Sequence, residues 1–255
     1  MSAPTTPART AARTAPTGRR RRRLAGATAG ALVVVLGAAG CATVDVGPRT
    51  TQHRDVADVT SVRLDTSGRL VVVRGPETGL EVTAGEAVID RLTSDVVGGT
   101  LLLGAEGQRG PGGLGAVEYR LTVAELTAVE VRGSGAMEGH GVLGDDVAVR
   151  VAGSGDVDLS DLDADSVSVV VDGSGDVRLE GSARRGAITV DGSGEVRADD
   201  LETGDADVTV RGSGGVAVHV TGALRVLVEG SGTVDHTGDP DLVADVRGSG
   251  EVRGR

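Results

Sequence analysis

From residue 129 onward, apolar residues occupy every second position in short runs, and glycine interrupts those runs at near-constant intervals. Gly-Ser-Gly recurs seven times, with serines at Ser134, Ser154, Ser174, Ser193, Ser213, Ser231 and Ser249, spaced by 20, 20, 19, 20, 18 and 18 residues. Two positions before each first glycine stands a valine: Val131, Val151, Val171, Val190, Val210, Val228 and Val246. Four before it stand Val129, Val149, Val169, Ile188, Val208, Val226 and Ala244. Two after the second glycine come Met137, Val157, Val177, Val196, Val216, Val234 and Val252. Residues between these columns are charged or small, as at Glu130, Arg150, Arg178, Arg197 and Asp207. Period-two alternation of β-branched residues, bounded by glycine, predicts strands with one buried face. A repeat of 18 to 20 residues holding two or three such strands predicts one coil of a parallel β-solenoid. Coils stack about 4.8 Å apart, so each column becomes an inward ladder.

The glycines have a local reason. A tight corner needs backbone freedom, including positive φ, and stacked corners need close backbone approach. The serine keeps one polar handle there, and its hydroxyls either form a ladder along one edge or face solvent. Upstream the frame is looser: Val62 to Leu70 fits it with Thr66 in place of the first glycine. Further strands are expected near Leu80 to Thr83, Thr100 to Leu103 and Tyr119 to Val123. Leu92 is expected in a short turn or helix before Gly98-Gly99, and Gly104 to Gly115, with Pro111, as a long loop. The fold class expected is all-β: a single-domain parallel β-solenoid over residues 59–255, its regular coils over 129–255.

The N-terminus follows a different grammar. Residues 1–18 are rich in Pro, Thr and Ala with little to bury, so disorder is expected. Arg19 to Arg23 precede an apolar stretch, Leu24 to Gly40, ending Ala38-Ala39-Gly40-Cys41. A basic region, a short apolar core and a small-residue site make a signal peptide. With cysteine directly after the small residues, residues 1–40 resemble a bacterial lipoprotein signal peptide, with Ala38 where leucine is usual. That resemblance implies cleavage before Cys41 and lipidation of its thiol, which holds the exported chain at the cell membrane facing outward. The alternative is an uncleaved anchor, since the 17 residues from Leu24 to Gly40 sit at the lower edge of a bilayer span. Residues 41–58 read as a tether.

Charge sharpens this division. The chain's net charge is -11. Seven arginines and no acid precede Cys41, so residues 41–255 carry 19 Arg against 37 acids, a net of -18. Such a body argues against nucleic acid as a partner, which needs clustered positive charge. With Tyr119 the only aromatic, there is no stacking platform for bases or sugars. One cysteine excludes an internal disulfide framework.

The candidate chemistry is thin. A calcium-binding β-roll needs Asp two residues after the second glycine, where this chain has Met137 or valine. The acids sit one residue earlier, at Asp156, Asp176, Glu195 and Glu251, on the outward side, so no metal or cofactor is expected. Arg132, Ala152, Asp172, Asp191, Arg211, Glu229 and Arg247 form a column of mixed sign, which predicts cross-strand charge pairing. His53, His140, His219 and His236 are scattered; the last two could approach across one coil, but two histidines alone make a poor zinc site. The seven serines cannot each have a base and lack the G-x-S-x-G frame, so catalytic residues are not expected.

Ser61 to Gly75 follows S-V-x-L-x-x-S-G-x-L-x-V-x-x-G, and GSGDV-like repeats follow behind a lipoprotein-type signal. This combination, over Val59 to Val252, resembles the putative auto-transporter adhesin, head GIN domain family. The resemblance implies a surface-exposed β-solenoid of adhesive or structural character and brings no catalytic residues with it. A cell-envelope glycan or a surface protein is the partner class expected, with a carbohydrate-active or envelope-remodelling β-helix enzyme as the alternative. The last coil, Gly248 to Arg255, shows no cap, so its open edge leads us to expect contacts with a second copy.

Overall fold

The computed structural model describes residues 46–107, 113–141 and 143–255. The arginine run, the apolar stretch and Cys41 lie outside the described residues. The chain opens with β1 (Arg49–Arg54), β2 (Ser61–Leu64), β3 (Arg69–Arg74) and β4 (Gly79–Gly85). A four-residue helix α1 (Glu86–Ile89) leads to β5 (Leu92–Val97), β6 (Thr100–Ala105) and β7 (Glu118–Val123). The repeats supply β8 (Leu126–Gly133), β9 (Ala136–His140), β10 (Leu143–Gly153), β11 (Asp156–Gly173), β12 (Asp176–Gly192) and β13 (Glu195–Gly212). The last strands are β14 (Gly215–Val220), β15 (Ala223–Gly230), β16 (Thr233–Thr237), β17 (Asp241–Gly248) and β18 (Glu251–Gly254).

These strands build two long ladders. One runs β5, β6, β2, β8, β10, then the C-terminal parts of β11, β12 and β13, then β15 and β17. The other runs β1, β4, β7, β3, β9, the N-terminal parts of β11, β12 and β13, then β14, β16 and β18. Pairing through the repeats is parallel and in register, Val151 opposite Val131 and Val171. A shorter third side stacks Leu162, Gly181 and Leu201, with Ala164, Ala183 and Thr203 beside them. The fold is the parallel β-solenoid that the repeat implies.

The valine columns are the core. Val131, Val151, Val171, Val190, Val210 and Val228 form one stack, each 0% exposed. Burying one such side chain is worth roughly 1.5–3 kcal/mol, so the thin interior needs no aromatic filling. Each Gly-Ser-Gly turns the chain from the first ladder into the second. Gly153 stands at φ +130, and a Cβ there would meet the Gly133 carbonyl oxygen at 2.5 Å. The first glycine therefore serves conformation and stacking together.

The N-terminal part departs from its expected plan in three ways. Coil order is not chain order: β2 lies between β6 and β8, and β3 between β7 and β9. The first coil is thus wedged inside the stack, beneath strands that come later in the chain. Leu92, expected in a turn or helix, instead opens β5, which pairs antiparallel with β6. The helix precedes it, and Gly98 and Gly99, both at positive φ, make the hairpin turn. Finally, the segment read as tether contains β1, which pairs antiparallel with β4 through six positions. Val46 and Pro48 before it accept hydrogen bonds from Ala87 and Glu86, so α1 anchors the chain ahead of the first strand. Thr66, in the place of a corner glycine, is 2% exposed, and its hydroxyl accepts the Gly68 N–H at 3.2 Å.

Candidate functional site

The seven corner serines are all exposed. Their backbone N–H groups, not their hydroxyls, make the ladder. Ser154 donates to the Gly133 carbonyl at 2.7 Å, Ser174 to Gly153 at 2.8 Å, and Ser213 to Gly192 at 2.8 Å. Among the described residues these hydroxyls face solvent.

The outward charge column pairs across coils. Arg211 bridges Asp191 and Glu229, each at 3.3 Å, and Arg247 joins Glu229 at 3.0 Å and Asp245 at 2.7 Å. Earlier in the stack Arg150 pairs with Asp172 of the next coil, while Arg132 pairs within its own strand with Glu130 at 2.8 Å. The Glu130 hydrogen bond raises the Arg132 pKa further above its already high value. On the second ladder Asp176 stands opposite Glu195, and Glu195 is held by Arg197 at 2.7 Å. Among the described residues no group of three or more His, Cys, Asp or Glu is arranged to hold a metal ion.

A trough with a mainly apolar lining lies on the outside of the first ladder, about 360 Å³ in volume. Its floor is a run of small outward residues on successive coils, Ser61, Ala128, Ala148 and Ser168, which the registers place side by side. Arg63, Glu130 and Arg150 line one flank. Arg63 is tied to Asp65 at 3.0 Å and Arg150 to Asp172, so the rim presents paired charges over an apolar floor. Such a surface suits contact with another macromolecule's face more than capture of a small ion.

One constellation escapes the repeat reading. The one-coil register sets His140 opposite Ser160. His140 Nδ1 lies 2.9 Å from the Ser160 hydroxyl and its Nε2 lies 2.8 Å from Asp161. Asp161 holds φ 55, a left-handed corner without glycine. The residue types are those of a hydrolytic triad, but the setting is not. The His140 and Asp161 side chains are 75% and 68% exposed, and nucleophile activation relies on a site that excludes water. The arrangement is a surface relay that ties two coils together. The sequence signal for it is only the 20-residue offset between His140 and Ser160, which the corner spacing supplies.

His219 and His236 do not form a pair. His236 stands opposite Val218 and His219 opposite Thr237, one register position apart. His219 Nδ1 lies 2.9 Å from the Thr237 hydroxyl. His53 approaches Glu81 at 3.6 Å on β1.

The described chain resembles solved structures of the same build. A putative adhesin from Bacteroides fragilis matches with a TM-score of 0.73 at 20% identity, over 82% of this chain and 97% of that one. A putative lipid binding protein from Parabacteroides distasonis matches with a TM-score of 0.65 at 23% identity, over 82% and 97%. A putative adhesin from the same organism matches with a TM-score of 0.62 at 20% identity, over 82% and 98%. At these identities the likeness speaks for the fold. No curated protein matches the sequence. The family model described as putative auto-transporter adhesin, head GIN domain, matches residues 58–240, and the chain belongs to that family.

Proposed function

We propose that the chain is an exported surface lipoprotein, anchored through Cys41, whose solenoid head is a non-enzymatic adhesion or interaction module. The observation that carries this reading is the regularity of the outer surface. Along the described coils the charges of the outward column are exposed and paired with one another. Extended rigid ladders of this kind offer a large, repetitive contact surface. Membership of an adhesin-named family supports the same class of activity. One fold relative is named for lipid binding. Before the last coil the interior columns are filled mainly by valine and leucine at 0–6% exposure, so any lipid contact falls on the outside, with the trough as its natural place.

The anchor rests on the arginine run, the apolar stretch and the lone cysteine after small residues. The partner class that fits the head is a cell-envelope glycan or a surface protein. Metabolic labelling with a lipid probe tests the anchor: label in the wild-type chain and none in Cys41→Ala is the expected result, and equal labelling sinks it. For the head, cells displaying the full chain are expected to gain binding to envelope glycans or surface proteins. A charged substitution in the trough, Ala148→Glu, is expected to reduce that gain. Turnover of an envelope glycan by the purified chain would instead favour the enzyme alternative.

A further inference from the structure

The two ends of the solenoid are finished differently. At the N-terminal end the outermost strands, β1 and β5, pair antiparallel with β4 and β6, and β1 reads Arg-Thr-Thr-Gln-His-Arg. Polar, charged edge residues discourage further strand pairing. At the other end β17 pairs along one edge with β15, and among the described residues no strand covers its second edge. The inward columns nevertheless continue into it. Leu242, Ala244 and Val246 stand opposite Leu224, Val226 and Val228. Leu224 and Val228 are 0% exposed, whereas Leu242 and Val246 are 42% and 41% exposed, and Val243 is 67% exposed. The edge carries core residues without a layer to bury them.

We propose that a second copy of this chain supplies that layer, β17 pairing antiparallel with β17 of its partner about a two-fold axis at Ala244. The register follows from face and charge. Residues directly opposite in an antiparallel pair share a face, so a two-fold pairing of β17 with itself must be centred on a residue rather than between residues. Centring on Val243 sets Asp241 against Asp245, and centring on Asp245 sets that carboxylate against its own copy. Centring on Val246 carries Leu242 past the corner at Gly248. Centring on Ala244 sets Leu242 against Val246, Ala244 against Ala244, and Asp241 against Arg247. All three inward residues then meet inward residues, and each strand end gains an opposite-charge pair. Asp241 has no ion-pair partner within its own chain among the described residues, whereas Arg247 already holds Glu229 and Asp245 and points its charge along the same outward column. A two-fold contact of this kind is closed, so it stops at a dimer.

The test uses the full-length chain in mild detergent with Cys41→Ser, which leaves no native thiol and makes the outcome independent of lipidation. Sedimentation is expected to show a dimer. Asp241→Arg, which sets like charges opposite, is expected to weaken it at least tenfold while leaving the melting temperature of the monomer unchanged. Ala244→Cys in the same background is expected to give a disulfide-linked dimer under mild oxidation, because opposite Cα atoms in such a pair lie within disulfide reach. A monomer, or open-ended oligomers without a crosslink at residue 244, would overturn the proposal.

Discussion

A methyl group placed on Gly155 would stand 2.6 Å from Cγ1 of Val131, and 2.5 Å from the carbonyl oxygen of Gly135. Those two contacts come from the coil above, so the second glycine of each corner is fixed by its neighbour and not by its own backbone angle. The neighbouring Ser154 has its side chain in water. Gly155→Ala is therefore expected to cost about 1–3 kcal/mol through forced displacement, and Ser154→Ala less than about 0.5 kcal/mol. Thermal melts of the two variants check this, and equal melting temperatures would refute the stacking account.

The core columns lead to a second expectation. Leu179 is 0% exposed and lies opposite Leu159 in the preceding coil. Cutting it to alanine removes apolar contacts on both sides of one layer, and parallel ladders above and below hold the backbone apart. Leu179→Ala is expected to cost about 2–5 kcal/mol, measured by denaturant unfolding. A loss under 1 kcal/mol would mean that the coils collapse to fill the gap.

Much of this was legible in the sequence. Val131 and its equivalents recur without exception, and a column of that regularity admits one placement, inward and in register. The corner glycines were readable for the same reason. What escaped has physical causes. β1 is polar along its length, so alternation gives it no signature; its strand state comes from β4. Leu92 to Val97 mixes apolar and polar residues without a period, and the Gly98-Gly99 hairpin turn decides its state. The wedging of β2 between β6 and β8 has no local signal, because a valine face accepts any neighbouring valine face. The relay at His140, Ser160 and Asp161 required knowing the coil offset before its members could be seen as neighbours.

The charge column invites a salt experiment. Arg211 sits between Asp191 and Glu229, 3.3 Å from each, with its side chain half exposed. Exposed pairs of this kind are worth about 0.2–1 kcal/mol each and are screened by salt. Arg211→Glu completes a run of four acids across the coils with Asp172, Asp191 and Glu229, and is expected to lower stability by about 1–2 kcal/mol at low ionic strength. Most of that loss should vanish in 1 M salt. Melts at the two salt concentrations decide it, and a loss insensitive to salt would point to packing of the arginine stem instead.

Tyr119 supplies a pH probe. It is 1% exposed, and its hydroxyl lies beside Thr66 without forming a well-aligned hydrogen bond among the described residues. Burial raises its phenol pKa above the usual value near 10. Because the fold favours the protonated form, this group's contribution to stability is fully present below about pH 10. It is lost as pH rises through the folded-state pKa. The chain has no lysine and one tyrosine, so absorbance of the phenolate at 295 nm reports this residue alone. The titration of the folded chain is expected to lie above that of the denatured chain, with alkaline unfolding following the same curve. Tyr119→Phe removes the titration and should delay alkaline unfolding. At pH 7 it also removes an unsatisfied buried hydroxyl, so stability is expected to hold or rise by up to about 1 kcal/mol. A fall of more than 1 kcal/mol at pH 7 would show that the hydroxyl has a partner in solution, and a phenol that titrates near pH 10 before unfolding would show that the site is wet.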